Sequence, residues 1–187
     1  MNHYTLERED AFCFAIDIQP RLVAALSRGD AVIKNTHVLL SAAKAYDMPA
    51  VYTEQYPKGL GTTEETLRII LQDIAEGYAA KTGFNAMVPE IREAVAALKA
   101  QGRTKAIVSG AETHICVYQT VCDLLAEGFD VFLPYDAIDS RDPENARAGL
   151  SMMQAMGAKL TTTETVLFEL MHDSKDPHFK ELQAFIK

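Results

Sequence analysis

The sequence has few cysteines, no cluster of positive charge and no long apolar run. Its three cysteines, Cys13, Cys116 and Cys122, are an odd number without metal-ligand spacing, so the sequence predicts neither a disulfide framework nor a zinc knuckle. No segment approaches the roughly 18–20 consecutive apolar residues of a membrane span. Residues 1–10 are polar and acidic, unlike a signal or transit peptide, and we therefore expect a cytoplasmic protein.

The charge balance bears on the class of ligand. A formal net charge of −8 without a basic cluster disfavours nucleic acid, because binding to nucleic acid depends on neutralising phosphates. Apolar residues make up 48% of the 187 residues and charged residues 24%, as in ordinary globular proteins. This length and composition predict one domain over residues 1–187, with no linker, internal repeat or low-complexity segment.

Short apolar runs alternate with helical patterns along the chain. Asp30 and Asp142 are the predicted N-caps of two helices, and Thr63 or Thr66 of a third. Because strands joined through helices favour right-handed βαβ units, we predict a doubly wound, three-layer α/β/α fold with a six-stranded, mostly parallel sheet. The predicted strands are 11–16, 49–53, 78–80, 104–109, 129–134 and 159–162, and the predicted helices are 31–46, 63–72, 88–100, 113–127, 143–156 and 163–171.

Three reactive side chains fall where ligands bind in such a fold. Ligands of open parallel sheets lie outside the carboxyl ends of the strands. Asp17 follows the first predicted strand, Lys81 follows the third, and Cys116 lies in the first turn of the helix after the fourth. The unpaired N–H groups of that turn and the nearby ammonium of Lys81 predict a lowered pKa for the Cys116 thiol.

Position alone leaves other roles open for each of these residues. Free cysteine is among the most buried residue types, so Cys116 could equally be a packing residue, as we expect for Cys13 and Cys122. Asp17 interrupts an apolar run and needs a compensating partner, which a role as helix or loop cap would also supply. Lys81 is by default a surface lysine, and it gains a catalytic role only if it faces the other two side chains.

The chain resembles a known family in several ordered segments. The motifs are Asp-Ile-Gln at 17–19, Lys-Thr-Gly-Phe at 81–84 and Gly-Ala-Glu-Thr-His-Ile-Cys-Val at 110–117, supported by segments at 53–61, 123–131, 136–141 and 161–170. In order and spacing they resemble the isochorismatase-like superfamily of cysteine hydrolases, and more narrowly its isochorismatase-domain-containing subgroup. The resemblance covers nearly the whole chain, and the ordered set is far more specific than any one motif.

This resemblance implies a catalytic triad of Asp17, Lys81 and Cys116. Asp17 would serve as general base and later as general acid, Lys81 would hold the charges in place, and Cys116 would form a thioester that water hydrolyses. The resemblance also implies a cis peptide bond between Ala111 and Glu112. An oxyanion hole would then be made by the backbone N–H groups of Glu112 and Cys116.

The sequence departs from the metal-dependent members of this superfamily. Nicotinamidases bind a metal through an Asp-x-His pair and a further histidine after the second strand, whereas residues 53–57 here contain no histidine. Glu54 alone is a poor zinc site, so we predict no metal and no cofactor. Isochorismatase itself acts on an enol ether and does not need a cysteine nucleophile, so the presence of Cys116 favours acyl chemistry instead.

Five residues near these motifs are candidate substrate contacts: Gln19, Gln55, Tyr56, Phe84 and Thr113. Gln55 and Tyr56 lie on a Gly-rich loop that could line the mouth of the site. Phe84 could wall an apolar pocket, although core packing is the more common role of such an aromatic residue.

The remaining polar clusters favour structural roles. His114 lies two residues before Cys116, and because residues at that spacing on a helix do not face each other, we expect it to serve as a wall or at an interface. Capping or a subunit contact is favoured for three charged residues after the fifth strand, Asp136, Asp139 and Arg141. A polar group near the end of the chain has only the composition of a metal site: His172, Asp173 and His178.

We therefore predict a cysteine hydrolase that cleaves a small carboxamide or a related C–N bond through a thioester. A binding or scaffolding protein that keeps the fold without turnover is one alternative, and a thiol redox sensor is another. The expected partners are a small-molecule substrate and further copies of the chain, because apolar residues such as those at 150–156 could pack against a neighbour. Neither nucleic acid nor a membrane is an expected partner.

Overall fold

The computed structural model describes residues 5–186, which form a parallel β-sheet between two layers of helices. The strands are β1 (Ala11–Ile16), β2 (Ala50–Gln55), β3 (Ala75–Lys81), β4 (Lys105–Ala111), β5 (Asp130–Pro134), β6 (Ile138–Asp139) and β7 (Lys159–Thr161). They lie in the order β3-β2-β1-β4-β5-β7, and β6 pairs with the carboxyl end of β4. The predicted doubly wound α/β fold with a parallel sheet is confirmed.

Helices connect the successive strands. They are α1 (Pro20–Val23), α2 (Gly29–Ala45), α3 (Pro57–Leu60), α4 (Glu65–Ile74), α5 (Pro89–Ala100), α6 (Tyr118–Ala126), α7 (Pro143–Ala155), α8 (Thr163–Met171) and α9 (Phe179–Gln183). A π-helical turn (Thr113–Val117) precedes α6, and a 3-10 turn (Ala184–Ile186) follows α9. Within residues 5–186, none of these helices combines the length and the apolar character needed to cross a membrane.

Alternate residues of β1 belong to two separate cores, because successive side chains of a strand point to opposite faces of the sheet. Ala11, Cys13 and Ala15 pack in the core that contains residues of α2, α4 and α8. On the opposite face, Phe12, Phe14 and Ile16 join residues of α5, α6 and α7. Since both faces are covered, β1 reads as an unbroken apolar run and is buried along its whole length.

Several predicted elements have different bounds in the structure. A seventh strand, β6, escaped prediction because two residues carry no recognisable period, although they pair with Gly110 and Ala111. The third strand begins at Ala75 rather than at residue 78, and the loop after β2 contains the short helix α3. The single helix predicted at 113–127 is a π-helical turn that leads into α6.

The predicted helix caps are only partly correct. Asp142 caps α7, since its carboxylate accepts a hydrogen bond from the N–H of Glu144 at 2.8 Å. Asp30, in contrast, lies inside the first turn of α2, whose N-cap is Arg28. The cap of α4 is Glu64, whereas Thr63 donates from its N–H and its hydroxyl to the carboxylate of Glu54.

Asp142 and Asp30 form a matched pair for measuring this difference, because both are exposed aspartates at the start of a helix. Asp142→Ala should lower the free energy of unfolding by about 1 kcal/mol, because a capped N–H loses its acceptor. Asp30→Ala should cost about 0.5 kcal/mol or less, since only the helix dipole is affected. Urea denaturation measures both values, and an equal loss for the two variants would contradict the assigned caps.

Candidate active site

Asp17 directly follows β1 in a left-handed backbone conformation, with φ 54°. Aspartate tolerates this conformation better than most residues, and here it turns the side chain back into the protein. The side chain is fully buried, and its Oδ1 accepts a hydrogen bond from the hydroxyl of Thr53 at 2.7 Å. Thr53 is opposite Ile16 in the register of β1 and β2, so the adjacent strand end supplies this partner.

Lys81 is the last residue of β3, and its ammonium is buried against Asp17. The distance from Nζ to Asp17 Oδ2 is 2.6 Å, and both side chains are almost completely shielded from solvent. Three further acceptors surround Nζ: Gln55 Oε1 at 2.6 Å, the carbonyl of Phe84 at 3.0 Å and the carbonyl of Gly83 at 3.2 Å. Lys81, which is by default a surface lysine in the sequence, is therefore one member of a buried ion pair in the structure.

Cys116 lies in the π-helical turn and completes the group. Its side chain is 6% exposed and forms a hydrogen bond with the Asp17 carboxylate, and the charge of Lys81 acts on its sulfur. The three residues predicted to converge therefore do lie together, at the carboxyl ends of β1, β3 and β4. Cys116 packs against apolar neighbours, but its sulfur faces polar partners.

A glycine permits this convergence where β1 and β4 end. Gly110 is opposite Ile16 in the register of the two strands and has a φ of +125°. A Cβ at this position would lie 2.0 Å from the Ile16 carbonyl oxygen. Because that distance is far below van der Waals contact, a side chain here would push apart the two strand ends that carry Asp17 and the Cys116 segment.

The predicted direction of the thiol pKa is wrong. Burial, followed by the charge of Asp17, raises the pKa of Cys116 to about 12, against the opposing effects of Lys81 and of the Glu112 backbone N–H. Burial also raises the pKa of Asp17, although Lys81, Thr53 and Cys116 all donate hydrogen bonds that lower it. The thiol is therefore neutral at rest, and the Asp17 carboxyl group beside it, which is paired with Lys81 at 2.6 Å, is the group that can accept its proton.

The Ala111–Glu112 peptide bond is cis in the structure. The backbone N–H of Glu112 acts on the Cys116 sulfur in the direction that lowers the pKa of the thiol. The Glu112 carboxylate is occupied elsewhere, because Arg141 donates to it from Nε at 3.0 and 3.1 Å and from its backbone N–H at 2.9 Å. Glu112 therefore offers the site an N–H group while its own negative charge is paired outside.

Two candidate substrate contacts hold the site together instead. Gln19 is fully buried, and its amide accepts from the Gln55 N–H at 2.7 Å and donates to the carbonyls of Gln55 and Gly61. Gln55 in turn bridges Lys81 Nζ and the carbonyl of Thr82, to which it donates at 2.8 Å. Gln55 therefore helps to position Lys81, and Gln19 helps to position Gln55, whereas a contact of either residue with a substrate stays a prediction.

The other three candidates differ in exposure. Phe84 and Tyr56 are 56% and 53% exposed, so core packing is excluded for Phe84. Both residues adjoin Lys81, because Phe84 accepts from its Nζ and the Tyr56 N–H donates to its carbonyl at 2.8 Å. Thr113 is fully buried, and its hydroxyl has no hydrogen-bond partner within residues 5–186.

The charged residues after β5 have the structural roles that the sequence favoured. Asp136 accepts from the N–H and the hydroxyl of Thr163 at the start of α8. Asp139 accepts from the hydroxyl of Ser27 and the N–H of Arg28. The ring of His114 contacts Ser140 instead of Cys116, and its Nδ1 lies 2.9 Å from the Ser140 hydroxyl.

The two histidines near the end of the chain each lie beside a glutamate. His172 lies 3.1 Å from Glu7, and His178 lies 3.7 Å from Glu181. In the part of the chain that the structure describes, no group of three or more His, Cys, Asp or Glu side chains could hold a metal ion. Glu54 is a buried anchor that accepts from Thr63 and from the Tyr78 hydroxyl at 2.9 Å.

Sequence reasoning missed Thr53 as a member of the site. Its position at the carboxyl end of β2, level with Ile16, is the signal that could have found it. A hydroxyl there is well placed to orient a carboxylate that follows the neighbouring strand.

The fold and this group of side chains define a doubly wound α/β protein with a thiol, a carboxylate and an ammonium at one edge of a parallel sheet. Residues 11–165 match the family model described as the isochorismatase domain, and the chain belongs to the isochorismatase family.

Curated relatives agree with this assignment. The chain is 35% identical to isochorismatase domain-containing protein 1 of Danio rerio over 93% of its own length and 60% of the relative's. It is 35% identical to isochorismatase domain-containing protein 2 of Xenopus laevis, over 97% of its own length and 85% of the relative's. The chain thus spans about three fifths of the protein 1 relative that it matches.

Solved structures share the fold throughout. MAR1 ribonuclease from Caenorhabditis elegans has a TM-score of 0.88 at 31% identity, covering 97% of this chain and 92% of that one. YcaC from Pseudomonas aeruginosa, with hexane-2,5-diol and covalent acrylamide, has a TM-score of 0.88 at 27% identity, covering 99% and 93%. The YcaC gene product of Escherichia coli, described as an octameric hydrolase of unknown specificity, has a TM-score of 0.83 at 26% identity, covering 97% and 94%.

The charge of Asp17 beside the Cys116 thiol leads to a testable prediction about the pKa of that thiol. Asp17→Asn should lower the pKa of Cys116, because it removes a negative charge that raises this pKa while Lys81 remains. Each unit of lowering gives about ten times more thiolate below the pKa, so alkylation of Cys116 by iodoacetamide at pH 8 should speed up at least about tenfold. Peptide mass spectrometry over a pH series measures this rate.

Two other cysteines serve as internal controls for that experiment. Half-exposed Cys122 should react at an unchanged rate, and buried Cys13 should stay unmodified as long as the core is folded. A slower reaction of Cys116 in the folded variant would show that Asp17 does not hold the proton on the sulfur.

Proposed function

We propose that the protein is a cysteine hydrolase that cleaves a small carboxamide or a related C–N bond through a covalent thioester. The observation that carries the proposal is the buried ion pair of Asp17 and Lys81, 2.6 Å apart, with Thr53 as a further partner of the carboxylate and the Cys116 thiol beside it. A nucleophile, a proton acceptor and a fixed positive charge are therefore assembled in one buried place.

The first half of the reaction forms the thioester. Asp17 takes the thiol proton as the sulfur of Cys116 attacks the carbonyl carbon, and the carbonyl π electrons move to oxygen. The backbone N–H groups of Glu112 and Cys116 stabilise that oxyanion, and a single donor in such a hole is typically worth about 3 kcal/mol. When the C–N bond breaks, protonated Asp17 returns the proton to the leaving nitrogen.

The second half releases the acid. Water attacks the thioester carbon while Asp17 accepts a proton from it, and the C–S bond then breaks. The sulfur leaves with the electron pair and recovers the proton from Asp17, which restores the neutral thiol. Throughout the cycle Lys81 stays bound to Oδ2 of Asp17, so the carboxylate keeps its orientation whether or not it carries a proton.

The comparisons support a reactive nucleophile in this fold. Acrylamide, an electrophile that thiols add to at its vinyl carbon, is covalently present in the Pseudomonas aeruginosa structure. The thiol redox sensor is disfavoured, because sensor cysteines are accessible and have a low pKa, whereas Cys116 is buried and its pKa is raised. We do not propose a ribonuclease activity from the name of the Caenorhabditis elegans neighbour. The net charge of the present chain is −8, which disfavours binding to the phosphates of RNA.

Cys116→Ala should lower turnover of a responsive amide by at least about 10³-fold, because the covalent step is lost. A library of small amides, assayed by ammonia release, identifies that substrate. The free energy of unfolding should change little, since a small apolar side chain replaces a thiol that packs among apolar residues.

Cys122→Ala is the matched control and should keep activity within about twofold. Incubation with acrylamide should give an adduct on Cys116 in the wild-type protein, found by peptide mass spectrometry. Modification confined to Cys13 or Cys122, or full activity of the Cys116→Ala variant, would exclude this mechanism.

We also propose that the chain assembles with copies of itself. The Escherichia coli neighbour is octameric, and β7 is an edge strand here that carries the exposed Leu160. Met156 and Phe168, in the segments before and after β7, are also exposed. Light scattering should give a mass at least twice the 20.6 kDa of one chain. Leu160→Lys should lower that mass, whereas a monomeric wild-type protein would refute the assembly.

A further inference from the structure

Lys81 has no hydrogen-bond donor to spare for a ligand. An ammonium group has three N–H donors, and four acceptors lie around Nζ at 2.6 to 3.2 Å: Asp17, Gln55, Gly83 and Phe84. The last two are backbone carbonyls, which stay in place when a side chain rotates. A carboxylate on a substrate would therefore have to displace a protein acceptor before it could pair with Lys81.

The second charge beside the Cys116 sulfur is that of the Asp17 carboxylate, and it repels anions. Asp17 and Lys81 have the largest charge effects on the Cys116 thiol, and these effects have opposite signs. The Asp17 carboxylate is also hydrogen-bonded to that thiol, so any acyl group attacked by the sulfur must approach close to it. The nearby Glu112 side chain is already neutralised by Arg141, which lies outside the triad.

Two uncharged residues, Phe84 and Tyr56, flank Lys81 at the surface. Phe84 and Tyr56 are bound to Lys81 through their backbones, and their aromatic side chains are half exposed. Aromatic rings offer contact area to an apolar or neutral ligand without a counter-charge. A carboxylate placed there loses hydration without gaining a counter-charge, which is unfavourable.

We propose that this site selects uncharged acyl groups: it accepts small neutral amides and rejects those with a carboxylate near the reacting carbonyl. The inference rests on the proposed function for its biological meaning. The electrostatic selection itself is a property of the thiol environment, and it can be measured without turnover.

Two alkylating reagents of nearly equal size test the selection directly. Iodoacetamide is neutral and transfers a carbamidomethyl group to sulfur, whereas iodoacetate is anionic and transfers a carboxymethyl group. Both reactions release iodide and the thiol proton. At pH 9, the rate of iodoacetamide at Cys116 is divided by the rate of iodoacetate, and the same ratio is measured for a small uncharged cysteine derivative. The ratio at Cys116 should be at least about ten times the ratio for the derivative. A smaller value overturns the proposal, and so does a failure of iodoacetamide to modify Cys116, since a small neutral amide must reach the sulfur.

A charge-removing variant tests the cause of the selection. Asp17→Asn changes the charge of the Asp17–Lys81 pair from zero to +1, so the iodoacetamide preference at Cys116 should fall at least about tenfold. An unchanged preference in folded protein, with Cys13 unmodified, would contradict selection by charge. Because the variant removes half of a buried ion pair and can lose its fold, the wild-type ratio stands as the primary test.

Turnover separates this inference from the proposed function. Butanamide and succinamate differ by replacement of a methyl group with a carboxylate, and butanamide should be hydrolysed with a kcat/KM at least about 100-fold higher. Hydrolysis of both at similar rates overturns the charge selection and leaves the cysteine hydrolase intact. If no amide in the library is hydrolysed, the proposed function fails, while the labelling ratio still decides whether the site selects by charge.

Discussion

The buried ion pair between Asp17 and Lys81 is the interaction on which the site depends. Both side chains are almost fully shielded, and neither charge would be tolerated there alone, because losing one partner of such a pair typically costs about 3–5 kcal/mol. Thr53 and Gln55 supply further hydrogen bonds, one to each member of the pair. The two charges are therefore fixed in position, and the thiol of Cys116 lies beside the Asp17 carboxylate.

Strand register places this pair of charges. Ile16 is opposite Thr53 in β2 and opposite Gly110 in β4, and Gln55 is opposite Lys81 in β3. Four adjacent strands thus end at nearly the same level, and each provides one part of the site or its support. A shift of one residue in any of them would turn a polar side chain to the other face of the sheet.

The sequence predicts the parts of the site that follow from strand ends, and misses those that follow from burial. Asp17, Lys81 and Cys116 are predicted at one edge because each lies beyond the end of a predicted strand, and parallel strands end at the same edge of a sheet. The sequence predicts Gln19 and Gln55 as substrate contacts, but it does not show that their amides also donate to backbone carbonyls of the protein. The thiol pKa was given the wrong direction because helix position was visible, while burial and the contact with Asp17 were not.

The neutral thiol has a consequence for how the site discriminates. A preformed thiolate would attract cations and react with any accessible electrophile or oxidant, whereas a thiol bound to a carboxylate becomes a nucleophile only as its proton moves to Asp17. That transfer is favourable only when a carbonyl carbon is within reach of the sulfur and donors are present for the developing oxyanion. Because Lys81 compensates Asp17, the charge arrangement before attack is balanced, and an additional anion would upset it. Reactivity and selectivity thus have the same physical origin, which is one buried pair of charges with no excess of either sign.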